Sequence, residues 1–274
     1  MLKLQLLEVF NNFQPEYIIH LAARADTKGE TLEEYDVNIT GTENVIDVCN
    51  SIPSIKHVII TSTQFVYQKP NCSPINDEDF SPHTIYGVSK VKSEQITRMK
   101  LNKNWTIVRP TNIWGPWHNR YPFEFWKIIA EGKYLHPSDD DVIRSYGYVG
   151  NICYQIFKIL AENDNLNQKV IYLGDYPTRL IDWVDAFSLA QTGKKVKRIP
   201  KQIVFFIALI GTLLHFLKIR FPITISRYKS MTTNNPAPME KTFLLLGEPP
   251  LTLSEGVQET VNWFKTNRPE LIRL

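Results

Sequence analysis

Glycine is scarce in this chain: 12 of 274 residues, the first at position 29. No Gly-x-x-Gly-x-x-Gly turn occurs anywhere. Such a turn opens a helix whose first backbone N–H groups receive a phosphate. That grip on a diphosphate is therefore excluded from these residues. Cysteine is rare too, and Cys49, Cys72 and Cys153 stand without metal-ligand spacing. Their scatter fits a reducing compartment. Net charge is only +3, with acids and bases mixed along the chain, which gives no footing for nucleic acid. The most apolar run, Ile203–Leu217, has fifteen residues without a charge. As a helix it reaches about 22 Å, short of the roughly 30 Å hydrocarbon core of a bilayer. A span is excluded, and a buried or interface helix is expected. Met1 leads into a mixed amphipathic segment ending near Pro15, without a signal-peptide pattern. A cytoplasmic chain, long enough to bury a substantial core, is the expectation.

What is present begins with a strand that ends in hydroxyls. Lys56-His57-Val58-Ile59-Ile60-Thr61 is β-branched and apolar, predicts a buried parallel strand, and runs into Ser62-Thr63. Hydroxyl residues at the carboxyl end of such a strand lie where open α/β sheets bind ligands. After a loop rich in Asn, Asp, Ser and Pro, a helix is predicted over about Thr84 to Met99. It opens with Tyr86-Gly87-Val88-Ser89-Lys90, and helical spacing puts Tyr86 and Lys90 on one face. The spacing alone is weak, since roughly one Tyr-x-x-x-Lys arises by chance in such a chain. Tyr154-Gln155-Ile156-Phe157-Lys158 is another match, within an ordinary half-buried helical stretch. The strand, the hydroxyl pair and the loop single out the first match.

The residue types point to hydride-transfer chemistry. A free phenol has a pKa of about 10, too high for a base at neutral pH. A lysine ammonium one turn away, with a positively charged nicotinamide, favours the phenolate and is expected to lower that value. Tyr86 then takes the proton of a substrate carbinol whose carbon gives up hydride, and Thr63 holds the same hydroxyl.

Five segments extend the pattern. They are Tyr17-Ile18-Ile19-His20-Leu21-Ala22-Ala23, Asn38-Ile39-Thr40-Gly41-Thr42 and Thr61-Ser62-Thr63-Gln64-Phe65-Val66-Tyr67. Arg109-Pro110-Thr111-Asn112-Ile113-Trp114-Gly115-Pro116 and Arg144-Ser145-Tyr146-Gly147-Tyr148-Val149 follow. With them the chain resembles an extended short-chain dehydrogenase/reductase of the NAD-dependent epimerase/dehydratase type. The resemblance implies an α/β fold, a Rossmann-like doubly wound parallel sheet lacking its first βα units, with a smaller C-terminal substrate lobe. Residues 1–116 would form the partial cofactor domain. Residues 117–274 would form mainly the substrate lobe, with returning Rossmann elements.

The resemblance also implies roles. Thr63, Tyr86 and Lys90 would be catalytic. NAD or NADP would lie against Leu21, Ala22, Ala23, Asn38, Thr61, Ser62, Tyr86, Lys90, Pro110 and Thr111. Gln64, Asn112 and Arg144 would meet the substrate, with Arg144 gripping a nucleotide diphosphate as a planar fork suits. No metal is implied. The expected reaction is epimerisation of a nucleotide sugar. A sugar or 3-beta-hydroxysteroid-type dehydrogenase or reductase is the alternative, and a non-catalytic, cofactor-less binding module is another. Dehydratases of the family follow the threonine with an Asp-Glu pair, and Gln64-Phe65 stands there instead, which argues against dehydration. Measured against the family, two βα units of about 30 residues each are missing before Tyr17. The expectation is an N-terminally truncated fragment that holds the cofactor weakly.

Lesser expectations complete the reading. Steroid-dehydrogenase members carry an apolar helix like 203–217, so membrane contact without spanning is admitted, as is a homodimer. His215 inside that run is expected to be a core residue. Trp117 to Phe123 predicts a loop and helix of the substrate lobe. Asp139-Asp140-Asp141 is taken as a solvated turn, not a metal site. Leu244-Leu245-Leu246-Gly247 resembles a terminal strand, followed by a helix starting at Ser254 with Glu255. Arg227 is placed at the surface or on a substrate phosphate.

Overall fold

The computed structural model describes residues 3–69, 72–118, 125–137, 141–217, 219, 221 and 223–269. Asn119 to Phe123 of the aromatic run, Asp139 and Asp140 lie outside the described residues, as does the His215 side chain. In chain order the elements begin α1 (Lys3–Phe13), β1 (Tyr17–His20), α2 (Asp36–Ser51), β2 (His57–Thr61), α3 (Ile85–Lys100) and β3 (Asn104–Pro110). Then come β4 (Asn112–Trp114), α4 (Lys127–Ala130), β5 (Leu135–Pro137), β6 (Ile143–Arg144), β7 (Tyr146–Tyr148) and α5 (Val149–Ala161). The last are β8 (Lys169–Leu173), β9 (Thr178–Arg179), α6 (Leu180–Thr192), β10 (Lys197–Ile199), α7 (Lys201–Phe216), α8 (Ile225–Thr232), α9 (Glu240–Leu246) and α10 (Leu253–Asn267).

The chain divides into two units, and each draws on separated stretches. One unit comprises Met1–Thr111, Ile152–Gly174 and Ala237–Glu248. Its sheet has the order β1-β2-β3-β8, all parallel. Strand side chains alternate between faces, and both faces here are apolar. Val58, Ile60, Ile107 and Val170 pack with Ile46 and Cys49 of α2 and with Ile52 just after it. Ile59, Val108 and Ile171 turn the other way, onto Ile152 and Ile159 of α5 and Leu246 of α9. Helices on both faces of a parallel sheet make the doubly wound arrangement. The β1 edge strand is half open, with Tyr17 and Ile19 exposed.

The second unit comprises Asn112–Asn151, Asp175–Pro236 and Pro249–Leu274. Its strands pair in twos: β4 with β7, β5 with β10, and β6 with β9. Its core is aromatic, built on Trp114, Trp126, Tyr146, Tyr148, Trp183, Phe187 and Phe264. Tyr146 stacks on Trp183 with centroids 4.2 Å apart and planes 8° from parallel.

Three expectations need correction. Leu244–Leu246 is no strand but the end of α9, with Leu246 buried among β-sheet and α5 side chains. Three consecutive leucines satisfy a helix as well as a strand, and periodicity does not separate them over so short a run. The α10 cap is Thr252, not Ser254: Thr252 accepts from the Glu255 N–H and the Glu255 carboxylate answers to the cap N–H. That reciprocal cap contributes about 1 kcal/mol. Finally, of the two alternatives for 203–217, a wholly buried helix does not hold: α7 is buried on one face only. It presents Phe206, Ile210 and Leu213 at 63%, 58% and 64% exposure. No helix among the described residues is long and apolar enough to cross a membrane.

Candidate active site

The candidate site lies in the first unit, at the carboxyl end of β2. There the chain leaves the sheet through Ser62 and Thr63 into a 3-10 turn, Gln64–Val66, with Thr63 accepting from the Phe65 N–H. Helix α3 starts opposite, capped by Thr84, whose hydroxyl accepts from the Gly87 N–H at 3.0 Å. Gly87 permits this approach: a Cβ there would stand 2.5 Å from the Phe65 carbonyl oxygen. The result sets the Tyr86 phenol near Thr63, close enough for that hydroxyl to act on its pKa. The Tyr86 ring is buried between Tyr35 and Phe65, with centroids 6.1 and 6.3 Å away.

Lys90, one turn on and only 2% exposed, donates to the Thr61 carbonyl at 2.9 Å. Around these groups the hydroxyls of Thr61, Ser62 and Thr111 and the Gln64 amide nitrogen are buried without protein partners. Buried polar groups without partners are costly and therefore rare. Here they cluster at the ends of β2 and β3.

The electrostatics correct one expectation. Burial pushes the Tyr86 phenol above its ordinary pKa, against the lowering effect of the Thr63 hydroxyl, and Lys90 is not among the causes. Desolvation is therefore the largest effect on the free site, and it opposes the phenolate. Lys90 itself is lowered from 10.5 to about 8 by burial, which Glu94 partly offsets. His20, at the end of β1, is lowered to about 4 by burial and by the charge of Lys90, and stays neutral.

The Lys90 shift has a consequence for stability. Between pH 8 and 10.5 the unfolded chain keeps a proton that the folded one has released, so stability rises with pH across that window. Below it the full penalty applies, up to about 3 kcal/mol. Lys90→Met should therefore gain on the wild type in urea unfolding near neutral pH, and the gap should close as pH approaches 10.5. An equal difference at both ends would remove the buried ammonium as its cause.

The remaining expected residues fall differently. Asn38 is fully buried and its amide is spent: it accepts from Arg24 N at 2.8 Å and donates to Arg24 O and Ser89 Oγ at 3.0 Å. It clamps the loop after β1 to α3 and has no donor left for a cofactor. Leu21 and Ala22 are exposed and Ala23 half-buried in that loop. Pro110 ends β3, and Thr111 is buried with its N–H on Leu173 O. Asn112 and Arg144 belong to the second unit. Arg144 donates to the carbonyls of Ser230 and Thr233 at 2.6 and 3.3 Å. Asn112 reaches Ser145 O at 3.5 Å, the limit of a hydrogen bond. Arg227 sits in α8, partly buried. Asp141 pairs with Arg179, and no metal-holding group occurs among the described residues.

Sequence reasoning passed over the groups that hold α3. Ser89, Ser93 and Thr97 recur every four residues, and Ser93 donates to Asn38 O at 2.7 Å. That spacing was the available signal for a face pressed on α2. Glu94 and Arg109 gave none. They form a two-pronged pair, 2.9 and 2.8 Å, with both side chains fully buried.

A doubly wound parallel sheet with Tyr86, Lys90 and Thr63 gathered at one strand end defines a Rossmann-type α/β protein. The chain belongs to the NAD dependent epimerase/dehydratase family, whose model matches residues 3–174. N-acetyl-alpha-D-glucosaminyl-diphospho-ditrans,octacis-undecaprenol 4-epimerase of Escherichia coli O157:H7 is 30% identical over 172 residues, 56% of this chain and 52% of that protein. UDP-glucuronate 4-epimerase of Thermodesulfobacterium geofontis is 26% identical over 275 residues, 94% of this chain and 75% of that protein. The chain thus spans about half the length of the first relative and three quarters of the second. UDP-glucuronic acid 4-epimerase of Bacillus cereus, solved with UDP-glucuronic acid and NAD, shares the fold. Its TM-score is 0.71 at 18% identity, covering 97% of this chain and 80% of that one.

The family is NAD-dependent, and the residues present fit one end of that group. The unpartnered hydroxyls of Thr61, Ser62 and Thr111, with the Lys90 ammonium, suit the ribose and amide of the nicotinamide half. No residue of this chain supplies a glycine turn for the pyrophosphate.

Proposed function

We propose that this chain acts as an NAD-dependent 4-epimerase on a glycosyl diphosphate, taking hydrogen from one sugar carbinol and returning it with inversion. The observation that carries the reading is the buried Tyr86 phenol near Thr63, one turn from Lys90, among hydroxyls that lack protein partners. Thr63 orients the carbinol hydroxyl, and Tyr86 Oη accepts its proton and gives it back when the carbinol reforms. NAD, when bound, supplies the redox partner for the carbinol carbon and, when oxidised, a positive charge that favours the phenolate. Lys90 keeps its ammonium below about pH 8, donates to the Thr61 carbonyl and would offer its remaining donors to the ribose. Gln64, beside Thr63 in the first unit, is assigned to the sugar. The two relatives supply the substrate class: one is named for a nucleotide sugar, the other for a sugar diphosphate on a polyprenol. Without a glycine turn the grip on NAD is weak, so the assay needs the cofactor at millimolar concentration.

Proton NMR of UDP-N-acetylglucosamine and UDP-glucuronate, incubated with the chain and NAD, tests the reading. The 4-epimer should accumulate to equilibrium with no net NADH absorbance. Stoichiometric NADH would make the chain a dehydrogenase, and neither signal would make it a binding module.

A further inference from the structure

Charge is mixed over the chain as a whole, but not around α7. From Lys194 to Lys229 there are nine lysines and arginines and no acidic residue, in a chain whose net charge is +3. Within this basic stretch lies the uncharged helix. Val204 and Ala208 are fully buried. Gly211 sits so close to the following chain that a Cβ would meet the Ile223 carbonyl oxygen at 2.0 Å. Thr212 accepts from the Ile225 N–H at 2.9 Å, and Phe205 packs edge-on to Tyr228. One face of α7 is thus pinned to its own unit.

The other face is bare. Ile203, Phe206, Leu209, Ile210, Leu213 and Leu217 are 44–65% exposed. At about 100° per residue, these positions together with Gln202 fill an arc of roughly 120°. Gln202 is the one polar residue on it. The arc is wider than a two-stranded coiled-coil seam, and a helix lying in a bilayer interface buries a broad apolar face of this kind.

Lys194, Lys195 and Lys197, all exposed, immediately precede α7. With Glu131, which pairs with Lys133, they line an open cavity of about 360 Å³, on whose wall the Gln191 side chain is buried with neither polar atom partnered. An apolar face with a lysine-lined cavity at its start matches acyl chains beneath anionic headgroups.

We propose that α7 is a monotopic docking surface for an anionic lipid bilayer, with its exposed face among the acyl chains and Lys194, Lys195 and Lys197 at the headgroups. The inference stands apart from the catalytic reading, since no residue of the Tyr86 site enters it.

Vesicle flotation tests it, with the full chain and vesicles of phosphatidylcholine alone or with phosphatidylglycerol. The wild type should float with the anionic vesicles, and less so as salt rises. Phe206→Glu with Leu213→Glu should weaken binding roughly 100-fold. Replacing Lys194, Lys195 and Lys197 by glutamine should cost about as much on anionic vesicles and little on neutral ones. All substituted side chains are exposed, so circular dichroism and melting should match the wild type. Failure of the wild type to float, or equal flotation of the Glu variant, overturns the proposal. So does light scattering that shows a dimer in the wild type and a monomer in the Glu variant, which would place a second copy on α7.

Discussion

Tyr86→Phe is expected to lower turnover roughly 1,000-fold. The change deletes one oxygen, and with it the group that accepts and returns the carbinol proton. The ring keeps its place between Tyr35 and Phe65, so binding of the sugar diphosphate should shift by less than about threefold. The ring and its packing are kept, so the change should leave the fold intact. Initial rates of epimer formation by NMR, with calorimetric titration of the same substrate, separate the two effects. Undiminished turnover would end the assignment of Tyr86 as the base. A parallel collapse of affinity would instead make it a binding residue. The raised phenol pKa sharpens the expectation: in the free site the proton stays on Tyr86, so the base forms only in a loaded complex.

Glu94→Gln should cost about 3–5 kcal/mol of folding stability. The carboxylate meets Arg109 through two hydrogen bonds, and neither side chain has any solvent exposure. Arg109 also reaches Tyr172 Oη and the Asp77 carbonyl. Burial alone would weaken its charge, yet the bonds and charge of Glu94 hold its pKa above the ordinary guanidinium value. Remove the carboxylate charge and a buried guanidinium is left without its counterion. Replacing Glu94 by leucine and Arg109 by methionine together should cost less than Glu94→Gln, since the fully buried guanidinium leaves with its counterion and only the weaker support of Glu94 to Lys90 and Arg98 is lost. Urea unfolding of the three proteins decides the point, and a double variant less stable than Glu94→Gln would refute it. The pair matters to the site because Glu94 stands one turn beyond Lys90 and ties α3 to β3.

The site was legible where local pattern and local structure coincide. β2 and the start of α3 were readable because β-branched residues and a capped amphipathic segment each carry their own signal. Tyr86, Lys90 and Thr63 followed, since helical spacing and strand ends are short-range geometry. Asn38 was legible as a position and not as a role: only its partners, Arg24 and Ser89, show that it clamps a loop. The leucines of α9 were misread because three apolar residues suit either element. What covers α7 was invisible, since a run of apolar residues looks alike whether protein, lipid or another chain lies against it.

The strand β2, the chemistry of the Tyr86 segment and the basic stretch around α7 were set by the sequence alone, because each depends on residues close together in the chain. Only the tertiary structure decided the Glu94–Arg109 pair, the helical form of α9 and the raised pKa of Tyr86. Each of these arises from desolvation and contact between distant residues, and that depends on what surrounds a group in space.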